Sequence, residues 1–357
     1  MRRFLAVCIV FMSFSAAASA GEYQDVRPGR ALQFPEDSFY RKDFRVQWWY
    51  FTGHLIDAGG REFGYELTFF VVGVQKSNHR SKFGVNNIYI THFAVSDVQA
   101  KKFYFTDRAD TGAFDFAGAA QTRLHVWVGD DVLEGKMNRM HITASDEEMA
   151  IDLFLTPAKP LVLQGDKGYS RKSGESPLMA SYYFSYTNLK TEGRLSIGGK
   201  GFKVRGKSWF DRELSTMGLG KGEAGWDWFS IQLADDREIM LYLIRKTDGT
   251  LSRFSSGTIV YPNGSYRSLS ANDFVVSVLD HYTSEKTGAR YPSRWKVAVP
   301  SEALTLEITP LIRDQEFLAA SSTGNYYWEG DCGVGGTARG RAYVEMTGYG
   351  NGRPYGN

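Results

Sequence analysis

The sequence predicts an all-β protein built as two tandem antiparallel β-barrels with few short helices. Three observations lead there. Short runs with two-residue alternation follow one another down the chain, separated by turn signals such as Ala58-Gly59-Gly60, Gly198-Gly199 and Pro262-Asn263-Gly264. Aromatic residues make up 15% of the 357, and 38 glycines against 10 prolines fit many tight turns and bulges. The chain also repeats itself. Trp48-Trp49-Tyr50-Phe51-Thr52-Gly53-His54-Leu55-Ile56-Asp57 aligns with Trp226-Asp227-Trp228-Phe229-Ser230-Ile231-Gln232-Leu233-Ala234-Asp235, and Arg61-Glu62 then aligns with Arg237-Glu238. A repeat spaced from Trp48 to Trp226 is too long for a solenoid and indicates a duplicated domain. Each half has the length of a barrel of roughly eight to ten strands, wide enough for one small ligand.

Residues 1–20 read as a cleaved signal peptide. Arg2 and Arg3 begin it, Phe4–Phe14 is its apolar run, and Ala18-Ser19-Ala20 is a small-residue cleavage site. The expected location is periplasmic or secreted. No later run approaches the ~20 apolar residues of a membrane-spanning helix, so no integral membrane segment is expected after cleavage. Of 42 basic residues, loss of Arg2 and Arg3 leaves 40 against 40 acidic. A neutral chain argues against nucleic acid or an anionic membrane surface as partner. Cys8 leaves with the leader, and Val7 before it argues against a lipid anchor. Cys332 is then alone, so no internal disulfide can form.

The first barrel is expected over residues 21–217, opening with a polar arm, Glu22–Arg41. Its strands are read at Phe44–Asp57, Arg61–Val74, Asn87–Asp97, Lys101–Thr106, Arg123–Gly129, Arg139–Ala144, Ala150–Thr156, Met179–Thr187, Thr191–Ile197 and Phe202–Phe210, with polar loops at Asn78–Gly84 and Gly165–Pro177. Glycine-rich residues 218–225 form the linker. The second barrel, residues 226–357, has strands at Trp226–Ala234, Glu238–Arg245, Arg253–Tyr261, Phe274–His281, Arg290–Val299, Leu304–Pro310 and within Tyr326–Gly348. Glu147–Leu155 and Asp314–Ser322 are expected to hold a helical turn or two.

The candidate site centres on Gly206–Arg245, where Trp209, Asp211, Trp226, Asp227 and Trp228 crowd together. Alternation puts Trp226, Trp228, Ser230 and Gln232 on one face of a strand and Asp227, Phe229, Ile231 and Leu233 on the other. Neither face is wholly apolar, which marks a cavity wall rather than plain core. A blander alternative has Asp211 paired with an arginine at the domain junction and the tryptophans in the core. His54, Glu66 and His92 lie on three strands and can share one polar spot inside the first barrel. They would orient a ligand there or form a satisfied network that fixes register. Tyr182, Phe184 and Tyr186 share a face, as a cavity floor or as inter-domain packing. No two histidines stand at metal-ligand spacing, so no metal is expected. No dinucleotide fingerprint or nucleophile elbow has its structural context, and no cofactor is expected.

QWWYFTGHL (Gln47–Leu55), MASYYFSYTNL (Met179–Leu189), SWFDRE (Ser208–Glu213) and GWDWFSIQL (Gly225–Leu233), in this order, resemble the carotenoid 1,2-hydratase / AttH-like family over most of the chain. The resemblance implies lipocalin-like barrels and, for members outside carotenoid synthesis, export. For the hydratase branch it implies addition of water to a terminal C=C bond of an acyclic carotenoid. Such hydration needs an acid, a stabiliser for the carbocation and a base. Asp211, Asp227 and Glu213 are the candidate acid–base groups, and indole faces can stabilise a cation by ~1–2 kcal/mol each. The family commonly has His-Glu-Trp after its Trp-x-Asp, where this chain has Arg212, Glu213 and Leu214. If that His and Trp take part in hydration, their replacement weighs against it, since arginine stays protonated. Three functions stay open: a binder of an elongated hydrophobic molecule (isoprenoid, quinone or acyl lipid), a hydratase-like enzyme, or a cell-envelope assembly partner beside a transport system.

Overall fold

A computed structural model describes residues 23–76, 84–215 and 218–350. The expected signal peptide and most of the loop Asn78–Gly84 lie outside the described residues. The described residues form 23 strands and three single-turn 3₁₀ helices. In order, the strands are β1 Val46–Asp57, β2 Glu62–Gly73, β3 Asn87–Asp97, β4 Lys102–Asp110, β5 Ala117–Ala119, β6 Leu124–Val128, β7 Asp131–Lys136, β8 Arg139–Ser145, β9 Met149–Pro157, β10 Val162–Leu163, β11 Tyr169–Arg171, β12 Ala180–Ile197 and β13 Lys200–Ser215. Then come β14 Glu223–Leu233, β15 Glu238–Lys246, β16 Ser256–Val260, β17 Tyr266–Ser270, β18 Val275–Thr283, β19 Arg290–Val299, β20 Leu304–Pro310, β21 Glu316–Ala319, β22 Asn325–Gly336 and β23 Gly340–Met346.

Two antiparallel sheets divide these strands between them. The first runs β4-β3-β2-β1-β13-β12-β9-β8-β7-β6-β5, with β10 and β11 added on β12; the second runs β17-β16-β15-β14-β23-β22-β20-β19-β18, with β21 on β22. Each is curled into a barrel or half-barrel around its own core. Alternation decides which side chains enter that core. Trp49, Phe51 and Leu55 of β1 join Phe63, Tyr65, Leu67 and Phe69 of β2 and Phe210 of β13 in the first. Phe229, Ile231 and Leu233 of β14 join Leu241, Trp295 and Trp328 in the second. Fully burying such side chains stabilises by about 1.5–3 kcal/mol each, and it fixes the strand register, because a one-residue slip would turn each set outward.

Two helical expectations are corrected. Residues 149–157 are β9, where Met149, Ile151, Leu153 and Leu155 are buried and the residues between them are not, so the two-residue period prevails. Within Asp314–Ser322 the regular element is β21, paired with β22. The strands read separately at Met179–Thr187 and Thr191–Ile197 are one element, β12, carrying an irregularity between Tyr186 and Leu189. β14 begins at Glu223, inside the glycine-rich stretch read as linker.

Candidate functional site: the seam between the barrels

The side chains that alternation turns away from the two cores face each other. From the first sheet come Trp48, Tyr50, Thr52 and His54 of β1. In register beside them stand Phe70, Thr68 and Glu66 of β2, and Glu213, Asp211 and Trp209 of β13. From the second come Trp226 and Trp228 of β14, Tyr242 of β15, Tyr327, Glu329 and Asp331 of β22, and Tyr343 and Glu345 of β23. Tyr50, Tyr183, Trp209, Trp228, Tyr242 and Tyr343 form one apolar cluster there. The repeat read from the sequence thus has a geometric meaning: the first strands of both halves offer equivalent outer faces to one seam.

The aromatic rings meet edge to face. Trp228 stands at 86° to Tyr50 with centroids 5.1 Å apart, and at 83° to Trp209 at 6.0 Å. Its indole N–H donates to the Tyr183 hydroxyl at 3.1 Å. Trp226 leans on Tyr242 at 6.3 Å. Trp48, Phe70, Trp226 and Glu345 are half-buried, so solvent reaches the seam at this end. Glu66, Glu329 and Tyr343, deeper in, are buried.

Carboxyl groups are interleaved with these rings. Asp211 accepts hydrogen bonds from Tyr183 and Trp209, each at 2.8 Å, and from Ser185. Burial pushes its pKa up to about 7 against the pull of these donors. Glu345 accepts from the Trp226 indole at 3.2 Å and is pushed up to about 8, by burial first, with Glu213 and Asp211 adding repulsion. Glu329 accepts from Tyr50, and burial together with Glu66 and Glu345 raises it well above the usual range. Burial likewise raises Glu66, which accepts from Thr68 through one oxygen while the other has no hydrogen-bond partner among the described residues. These groups hold protons where ordinary carboxyls do not. Glu213 differs: it accepts from Ser181 and pairs at 3.1 Å with buried Lys172, which also lies 4.1 Å from the Tyr242 ring centre.

The structure redistributes the other expected site residues. His54, Glu66 and His92 share a surface, but on the outside of the first barrel. Their even-numbered neighbours oppose the core positions, which corrects the expectation of a spot inside it. His54 Nδ1 lies 2.8 Å from Asp331 Oδ1 across the seam. His92 is held between Tyr327 at 2.7 Å and Ser322 at 3.0 Å, and burial lowers its pKa to about 3, so it is neutral. Asp227 occupies the opposite face of β14 from Trp226 and Trp228. It pairs with Arg245 at 2.9 Å and accepts from Tyr349, away from Asp211. Tyr182, Phe184 and Tyr186 also turn from the seam. Tyr182 packs on Phe44 and bonds the backbone of Arg27, Phe184 lies in the first core, and Tyr186 packs against that core. Arg212 and Leu214 point the same way. Arg212 sits 3.8 Å from the Trp49 ring centre and donates to the carbonyl of Phe39 at 2.7 Å. The departures from the family pattern therefore fall on the face away from the seam, and Glu213 between them faces it.

Sequence reasoning missed Lys172, Glu329, Tyr343 and Glu345. The run Tyr326-Tyr327-Trp328-Glu329 sets aromatic residues beside an acid, as Trp226-Asp227-Trp228 does, which was a usable signal; Lys172 and Glu345 had none. An open cleft of about 970 Å³ lies elsewhere, lined by Ser173, Glu175, Lys221, Lys246, Phe254 and Phe274 among others. Its lining is mostly loop residues and holds none of the raised carboxyls, so the seam is the better candidate.

A model of the AttH-like family matches residues 25–349. The chain belongs to the AttH-like family. Among solved structures, this AttH-like chain is similar to a candidate AttH from Nitrosomonas europaea, with 32% identity, a TM-score of 0.84, and coverage of 92% of this chain and 100% of that one. Kievitone hydratase from Nectria haematococca shares the fold at 14% identity and a TM-score of 0.68, covering 91% of this chain and 95% of its own. CghA with Sch210972 shares it at 10% identity and 0.56, over 92% and 96%. Among curated proteins nothing matches the chain in sequence. Among the described residues no helix is long and apolar enough to cross a membrane.

Proposed function

We propose that this protein binds an elongated hydrophobic molecule in the seam between its barrels. The carrying observation is the solvent-reached wall of Trp48, Phe70 and Trp226 leading inward to carboxyls that retain their protons. Binding is tested by native mass spectrometry after mild extraction and by tryptophan quenching with an apolar probe. A protein that carries no lipid and quenches with no probe sinks the reading; Trp226→Ala should weaken probe binding about tenfold or more.

A second reading, water addition to an isoprenoid C=C bond, is favoured by Asp211. Its pKa near 7, three donors and adjacent indole faces suit a proton donor beside a developing cation. Two AttH-fold neighbours fit such a use: one is named a hydratase and one is seen with a small molecule. Incubation with acyclic isoprenoids in ¹⁸O-labelled water tests it: label should enter the product with the native protein and not with Asp211→Asn. Export through the N-terminal leader remains our reading of residues 1–20, checked by N-terminal sequencing of protein from the cell envelope fraction.

A further inference from the structure

We propose that the seam selects a hydrophobic organic cation, an amine or quaternary ammonium on an apolar body. This rests on the binding reading above and adds the charge of the ligand. Antiparallel register places Glu329 directly opposite Glu345 on β22 and β23. Like charges so placed repel, and Glu66 of the other barrel acts electrostatically on both. The nearby bases are committed elsewhere. Lys172 pairs with Glu213 at 3.1 Å, His54 and Arg341 with Asp331 at 2.8 and 2.6 Å, and His92 is neutral between Tyr327 and Ser322. Three buried or half-buried glutamates thus face the seam with no ion pair of their own among the described residues, Lys172 acting on Glu345 only at a distance.

Two further atoms point to a missing partner. Glu66 Oε2 and the Tyr343 hydroxyl are buried, with both residues fully shielded from solvent, and neither has a hydrogen-bond partner among the described residues. Leaving such groups unpaired is costly, and an ammonium N–H can donate to either oxygen. Among the described residues no three carboxylate, histidine or thiol groups converge as a metal ion requires. The acids instead stand beside aromatic rings, with Tyr50 donating to Glu329 and Trp226 to Glu345, and aromatic rings are what take bulky organic cations. Binding swaps a carboxyl proton for the ligand's charge: the cation enters, a glutamic acid ionises, and the proton leaves to solvent.

The test compares decyltrimethylammonium with 1-decanol, both monomeric, by tryptophan quenching and by calorimetry in two buffers of different ionisation enthalpy at pH 7. The cation should bind about tenfold more tightly than the alcohol or better, with release of about one proton per site. The E329Q/E345Q variant should bring the ratio of cation to alcohol affinity to within about threefold. An alcohol that binds as tightly as the cation overturns the charge inference and leaves the apolar site standing. A cation bound without proton release also overturns it. Failure of both probes removes the binding reading and this inference together. Because the probe ratio and the proton count are read on the native protein, an unfolded variant does not rescue the idea.

Discussion

Glu345 makes folding stability depend on pH. Its carboxyl is held at about 8 in the folded chain, against 4.5 for an ordinary glutamate. Between those two values the folded protein keeps a proton that the unfolded chain has lost, so stability falls as pH rises through this window. A fully linked group changes stability by about 1.4 kcal/mol per pH unit. Glu345 is half-buried, and solvent screening brings the expectation to about 1 kcal/mol per unit, or about 3 kcal/mol between pH 5 and 8. Glu66 and Glu329, raised by the same burial, add slope of the same sign. The perturbation is Glu345→Gln, which retains the size and the acceptor for the Trp226 indole and removes the titration. Urea unfolding followed by tryptophan fluorescence at pH 5, 6, 7 and 8 should show a native protein that weakens steadily. The variant should weaken less steeply, by about 1 kcal/mol per unit. Parallel slopes for the two proteins would refute the reasoning, as would a native protein that gains stability from pH 5 to 8.

Lys172→Met should cost about 3–5 kcal/mol, because it strands Glu213 as a buried unpaired charge; adding Glu213→Gln should recover most of that in a double-mutant cycle by denaturation. Asp227→Asn should cost a comparable amount by loosening Arg245 and Tyr349. Probe affinity measured by quenching should stay within about twofold, since the residue faces away from the seam. Trp228→Phe should remain folded and lose about 1–2 kcal/mol, having given up its bond to Tyr183 and part of its contact with Trp209. A change below a few tenths of a kcal/mol in the urea midpoint analysis would mean that the indole is not gripped as described.

Strand content and the duplication were legible because period-two alternation and glycine turns are local signals. The faces were harder. In β1, Trp48, Trp49, Tyr50 and Phe51 are all bulky and aromatic, so alternation separates them into two sets without saying which set is core. Strands buried on both sides give no amphipathic contrast, and that is why His54, Glu66 and His92 were assigned to a barrel interior when they lie on its outside. Asp211 and Trp209 were readable as a pair from their spacing. Asp227 was drawn to them by proximity in sequence, although a neighbouring residue on a strand points the other way. Glu329 and Glu345 enter the site only through pairing of β22 with β23 and docking of the second barrel on the first. No local pattern contains that information.

The hydrogen bonds from Tyr50 to Glu329 and from Trp228 to Tyr183 each join residues from different halves of the chain. Each barrel is therefore the other's missing wall. A fragment carrying one half would present bare acids and indoles to water. A change in either face has to be answered by the one opposite.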